Sequence, residues 1–346
     1  MYNIFGSYIN DLKGISRINN LNLNNSNNFD NIIIKSLINS SNIHKQVRNY
    51  LYNYLKPGIK LLDIAKIIET KTIELSKNMN TINNGIGFPA SLSLNNCAAH
   101  FHPEYNDNIS FNDNDVIKID FGTENNGWIT DCAFTVCFND KYMNLLNAVK
   151  EGTYTGIKNA GIDVRIGEWG GMIQEVIESY EITLNGKTKQ IRVINNLGGH
   201  NIINGIIHGG MFLSPVYNNN TAKFKEGVYA VETFGSTGDN QAVESQMEDT
   251  TLYRLNPSLN KISLEPNILS FYNKLNNNFK TLPFTDRYIQ NYDVNYKKYL
   301  KELIELNLIF AYPPLYVNSE DYTAQYEHTI YISENKKIVF SVDNDY

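Results

Sequence analysis
The stretch Ile119–Phe134, IDFGTENNGWITDCAF, sets two apolar runs on either side of a short polar turn. With Val116, Ile117 and Lys118 ahead of it, the pair reads as a β-hairpin. Each strand carries one aspartate, Asp120 and Asp131, where burial of something apolar is expected. Taking Asn125 and Asn126 as the central turn residues puts the two carboxylates directly opposite one another, with Cβ atoms about 5 Å apart. Two unit charges at roughly that distance, in an effective dielectric of about 20, repel by about 3 kcal/mol. That is a large part of a domain's net stability. The pairing therefore calls for a shared proton, a basic partner or a metal. The alternative is a different register, in which one aspartate merely caps a turn.

Two further acids decide between these readings. Glu232 lies within VYAVETFG and Glu327 within YTAQYEHTIYI, both β-type runs in which a solvated acid is out of place. His200 follows the strand-like IRVINN, in LGGHNI. Four carboxylates and one imidazole, all placed in sheet, form a site for hard cations, and two divalent ions balance them better than one.

The rest of the chain supplies a frame for such a site. From Phe29 the spacing is helical, with Ile33, Leu37, Val47, Leu51 and Leu55 on one face, up to the stop signal Lys56-Pro57-Gly58. Leu61, Ile64, Ala65, Ile68 and Leu75 mark a second helix. Residues 85–137 read as strands and turns, and 142–180 as two more helices. Short strands follow at Ile191–Ile194 and Val228–Phe234, then a largely helical stretch at about 253–311, then two closing strands. Helix pair, strands, helix pair, strands predicts a duplicated α+β unit around one sheet, with a helical insertion. Residues 1–28, Asn-rich over 18–28, have little to bury and are expected to form a mobile lead-in to a single catalytic domain over 29–346.

Bulk properties narrow the class. The 346 residues are 42% hydrophobic and 19% charged, an ordinary globular balance. No apolar run approaches the roughly 18 residues that span a bilayer, and the first residues lack the pattern of a secretory signal. Three cysteines without a CxxC pair fit a reducing compartment, so a cytoplasmic location is expected. A net charge of −6 argues against a broad nucleic-acid surface.

Seven blocks in order, GFPASLSLNNCAAH, KIDFG with DCAFTV, GIDVR, GKT, VYAVETFGSTG, YPPL and YTAQYEHTI, resemble methionine aminopeptidases of type 2, from about Ser41 to the final DNDY. The resemblance implies the pita-bread (creatinase/aminopeptidase) fold, α+β with pseudo-two-fold symmetry, and identifies 253–311 with the type 2 insertion. It implies removal of the initiator methionine from nascent polypeptides with a small second residue, by a monomer using two divalent ions (Co, Mn, Fe or Zn). Asp120 would chelate one ion, Asp131 and Glu327 would bridge both, and His200 and Glu232 would complete the other. Glu232 would also carry protons, and His100 and His208 would hydrogen-bond the scissile group. Phe88, Ile207, Phe234 and Tyr312 would line the methionine pocket. Leu252, Pro283 and the run GGHNIING depart from the family's commoner letters. A charged amino-terminal extension linked to ribosome association in relatives is not seen, so any ribosome contact is expected through the catalytic domain. Of the other histidines, His44 is expected at the surface, His102 as a bystander, and His328 packed on the face opposite Glu327. The rival readings are a non-catalytic pita-bread protein that binds ribosomes or RNA, and a prolidase or aminopeptidase P.

Overall fold
A computed structural model describes residues 29–77, 84–257 and 264–343. The lead-in 1–28 lies outside these. Four helices carry the main body: α1 (Phe29–Leu51), α2 (Leu61–Ser76), α3 (Met143–Asn159) and α4 (Ile166–Glu178). The first pair packs on a three-stranded antiparallel sheet of Asn84–Leu94, Val116–Asn125 and Trp128–Cys137. The second pair packs on a six-stranded sheet centred on Gly227–Ser236 and Thr323–Ser333. Glycines set the spacing within that pair: a Cβ at Gly152 would lie 2.4 Å from Ile177, and one at Gly156 2.9 Å from Ile173. The duplicated helix–sheet unit is thus as expected.

The expected single sheet is instead two half-sheets meeting along a seam. Across it, side chains replace the backbone ladder. The Thr329 hydroxyl accepts from Asp131 N at 2.8 Å and donates to Asp131 O at 2.7 Å. The Thr135 hydroxyl does the same for Gln325 N and O, at 2.8 and 2.7 Å. Each threonine closes two buried backbone groups that would otherwise be costly to leave unpaired.

The hairpin register differs from the expectation. Asn126 and Gly127, with φ of 52° and 83°, form the turn, and Asn125 pairs with Trp128. Two successive positive φ values define the type I′ turn that Asn-Gly favours. Asp120 therefore lies opposite Ala133, and Asp131 opposite Gly122. The slip is by two residues, so both aspartates stay on one face of the sheet, as diagonal neighbours about 7–8 Å apart at Cα.

A second correction concerns His44. It is fully buried, not at the surface, with Nε2 donating to the Phe121 carbonyl at 3.0 Å and the ring stacked on Phe121 at 3.9 Å. Its position three residues before Val47 and seven before Leu51 places it on the apolar face of α1. Arg48, also on that face, donates to the Ser341 carbonyl at 3.1 Å. His328 is buried on the face opposite Glu327, as expected, against the Ser341 hydroxyl at 2.8 Å.

Residues 253–311 hold α5 (Pro266–Phe279), the short α6 (Asp286–Ile289) and α7 (Tyr296–Glu305) around a core of Phe271, Leu275, Phe284, Leu300 and Leu303. The segment begins and ends side by side, because Leu252–Leu255 pairs antiparallel with Ile309–Tyr312. A bidentate ion pair fastens it to the main body, with Arg287 donating to both Glu69 oxygens at 2.7 and 2.8 Å. Both side chains are about nine-tenths buried. Breaking a buried pair from one side costs far more than losing an exposed one. Arg287→Leu is expected to lower the free energy of urea unfolding by about 3–5 kcal/mol. Arg165→Ala, which removes an exposed partner of Glu168, should change it by less than about 1 kcal/mol.

Candidate metal centre
The seam carries the four acids. Glu232 and Glu327 are directly opposed across the two central strands of the larger sheet, and Asp120 and Asp131 approach from the hairpin. His200 is the second residue of the neighbouring strand, Gly199–Ile202, opposite Ala230. Ligand atoms of Asp131, His200 and Glu327 lie within 4.8 Å of one another, as do those of Asp120, Glu232 and Glu327. The two trios share Glu327. In this arrangement Glu232 groups with Asp120, not with His200.

The charges around this cluster are poorly tolerated as they stand. Asp131 and Glu327 are buried, Asp120 and Glu232 half-buried. Burial first, and neighbouring carboxylates second, hold Asp120, Glu232 and Glu327 well above the ordinary carboxylate range. A side-chain amide opposes this for two of them: Gln325 Nε2 donates to Asp120 Oδ2 at 3.2 Å and to Glu232 Oε1 at 2.6 Å. Asp120 Oδ1, although buried, has no hydrogen-bond partner among the described residues. His200 Nε2 faces Asp131 Oδ2 at 3.4 Å, and its Nδ1 points to the Asn201 carbonyl at 3.4 Å. That contact favours the tautomer that leaves Nε2 as the ligand atom. Carboxylate oxygens with one imidazole, clustered around an orphaned acceptor, fit divalent ions of the Mn, Fe, Co and Zn series.

The cluster floors a cavity of about 420 Å³, within the range of small-ligand sites. Phe88, Ile207 and Phe234 line it, with Leu252 and Pro283. Tyr312 is not among the lining residues. It stands behind them, its ring 5.9 Å from that of His100 and 6.5 Å from that of His208, its hydroxyl accepting from Arg254 Nε at 3.2 Å. His100, His102 and His208 all border the cavity. His100 has a φ of 65°, a conformation uncommon for a residue with a side chain and concentrated at functional sites. Burial lowers its pKa to about 4. His208 is exposed to the cleft, with its ring 4.4 Å from that of His200. The surrounding protein, then His200 and His100, push its pKa down. The loop bearing it is pinned by Asn201, whose Oδ1 accepts from Met211 N at 2.8 Å and whose carbonyl accepts from Gly209 N at 2.7 Å. The GGHNIING departure thus supplies its own clamp.

Gln325 is the site residue that sequence reading overlooked. Strand alternation carries the signal, since residue 325 shares a face with 327.

Comparison with known proteins bears directly on this centre. The model of metallopeptidase family M24 matches residues 35–253. Methionine aminopeptidase 2 of Clavispora lusitaniae is 42% identical over 307 residues, covering 88% of this chain and 70% of that protein. The enzyme of the same name from Schizosaccharomyces pombe is 41% identical over 310 residues, covering 89% and 72%. Among solved structures, a thermophilic Arx1 superposes with a TM-score of 0.77 at 17% identity, covering 92% of each chain. A methionine aminopeptidase from Thermotoga maritima superposes at 0.60 and 15%, covering 89% and 96%. The chain belongs to metallopeptidase family M24, in its methionine aminopeptidase 2 branch, and has the pita-bread fold.

Two outcomes follow for the centre. Gln325→Leu is expected to weaken divalent-metal binding by ~10- to 100-fold, read by calorimetric titration, because it frees two ligand carboxylates from their shared donor. Without metal, the three raised acids favour the fold only while protonated. That contribution is complete below their ordinary pKa values and is lost as pH rises through the raised ones. The melting-temperature gap between metal-loaded and chelator-treated protein should therefore widen as pH rises above the ordinary carboxylate range.

Proposed function
We propose that this chain is a methionyl aminopeptidase that removes the initiator methionine from nascent polypeptides whose second residue is small. The observation that carries this reading is the convergence of Asp120, Asp131, His200 and Glu232 at the floor of an apolar-walled cavity, with the buried Glu327 joining both trios, where His100 and His208 are also presented. The two trios sharing Glu327 support two divalent ions per chain. Asp131 and His200 belong to one trio and Asp120 and Glu232 to the other. Bound ions would supply a water nucleophile at neutral pH and polarise the scissile carbonyl.

The remaining work falls to the chain's own groups. Phe88, Ile207 and Phe234 offer the methionine side chain an apolar enclosure, closed on one side by Leu252 and Pro283. Glu232, half-buried and held above the usual carboxylate range, is suited to take a proton from water and return it to the leaving amine. His100 and His208, both biased towards the neutral form, donate N–H to the scissile amide without adding charge to a site built around cations. Tyr312 buttresses both rings rather than touching the methionine. On this reading residues 29–346 form one catalytic unit with 253–311 as the type 2 insertion. It acts as a cytoplasmic monomer on chains leaving the ribosome, with any ribosome contact made by the catalytic unit.

The test is a peptide panel with purified protein, supplied in turn with Co, Mn, Fe and Zn. Met-Ala-Ser should be cleaved to methionine and Ala-Ser. Glu232→Gln should lower kcat by ~10²- to 10⁴-fold. Intact Met-Ala-Ser under all four metals would overturn the reading, and preference for Xaa-Pro peptides would make the chain a prolidase instead.

A further inference from the structure
His102 differs from the other cavity histidines in how it is tied to the chain. Its Nδ1 lies 3.1 Å from the carbonyl oxygen of His100, two residues earlier. A carbonyl only accepts, so this contact is made by the tautomer that protonates Nδ1. Its Nε2 is buried, and the only other backbone group that bears on the ring, among the described residues, is Pro89. The side chain is 98% enclosed, with a relative exposure of 2%, although it borders the cavity. Its own carbonyl accepts from the Thr251 hydroxyl at 3.1 Å, next to Leu252 in the cavity wall. His100, at the other end of this tie, has the left-handed φ of 65°. An isolated left-handed residue with a Cβ persists only where its surroundings fix it.

We propose that His102 is a positioning residue for His100. Its Nδ1–H holds the His100 carbonyl, and with it the left-handed turn that presents the His100 ring to the cavity. Its backbone carbonyl anchors the same turn to Thr251, and so to the strand supplying Leu252. His102 moves no proton in the reaction: burial, then the neighbouring His100 and Arg287, push its pKa down to about 3, so it stays a neutral, single donor. The inference rests on the reading of His100 as a group that contacts the substrate. It differs from the bystander role expected from sequence alone.

The side-chain amide of asparagine places N–H close to where histidine places Nδ1–H, whereas glutamine places its amide nearer the Nε2 position. His102→Asn should therefore keep kcat on Met-Ala-Ser within ~3-fold of the unsubstituted enzyme, while His102→Leu and His102→Gln lower it by ~10- to 100-fold with KM within ~3-fold. The pH profile of kcat should keep its shape in all three. Calorimetric metal titration and melting temperature establish that each variant is folded and loaded, and the asparagine–glutamine contrast stands if the leucine variant fails to fold. Equal losses in Asn and Gln variants, unchanged kcat in both, a loss confined to KM, or a displaced pH profile would each overturn the proposal. Cleavage by the unsubstituted enzyme in the same assay separates these failures from failure of the functional reading.

Discussion
Mutual repulsion among four carboxylates is the constraint around which this structure is organised. Like charges a few ångströms apart, partly withdrawn from water, cost energy that a marginally stable domain can hardly supply. Among the described residues one imidazole and one amide face four acids, and Glu327 meets Asp131, itself an acid. The raised pKa values express the same conflict in the language of protons. Divalent cations resolve it, and membership of a metallopeptidase family agrees with that solution.

The fold makes this crowding achievable by splitting the sheet. A continuous backbone ladder through Trp128–Cys137 and Thr323–Ser333 would fix their spacing by strand geometry alone. Here Thr135 and Thr329 span the gap with hydroxyls, so the two halves meet at side-chain distance and their acids converge between them. The segment 253–311 closes the cavity from one side through Pro283, beside Leu252, and is itself fastened by the Glu69–Arg287 pair. Pro283 in the cavity wall and Arg287 in the ion pair are four residues apart, which ties pocket shape to the docking of that segment.

Much of this was legible in the letters because it rested on local periodicity and on acids in β-type runs. The helix pairs and the convergence of Asp120, Asp131, His200, Glu232 and Glu327 are of that kind. The hairpin register failed because the turn was centred on Asn125-Asn126, when Asn126-Gly127 is the pair that tolerates two positive φ values. The error left the shared face intact only because the slip was even. His44 was misplaced because a polar residue beside a lysine looks solvated, whereas its helical position and a stacked Phe121 bury it. The seam and the double role of Gln325 depend on contacts between strands nearly 200 residues apart, which no local pattern encodes. Tyr312 sits beside His100 and His208 but outside the cavity lining.

Titration of the chelator-stripped chain with a single divalent metal, followed by calorimetry, tests most directly whether cations are what the acid cluster requires. Because Glu327 belongs to both trios, saturation at two ions per chain is predicted, with Glu327→Gln weakening both sites together. Absence of saturable binding, or a Glu327→Gln variant that binds both ions as tightly as the unsubstituted chain, would contradict it.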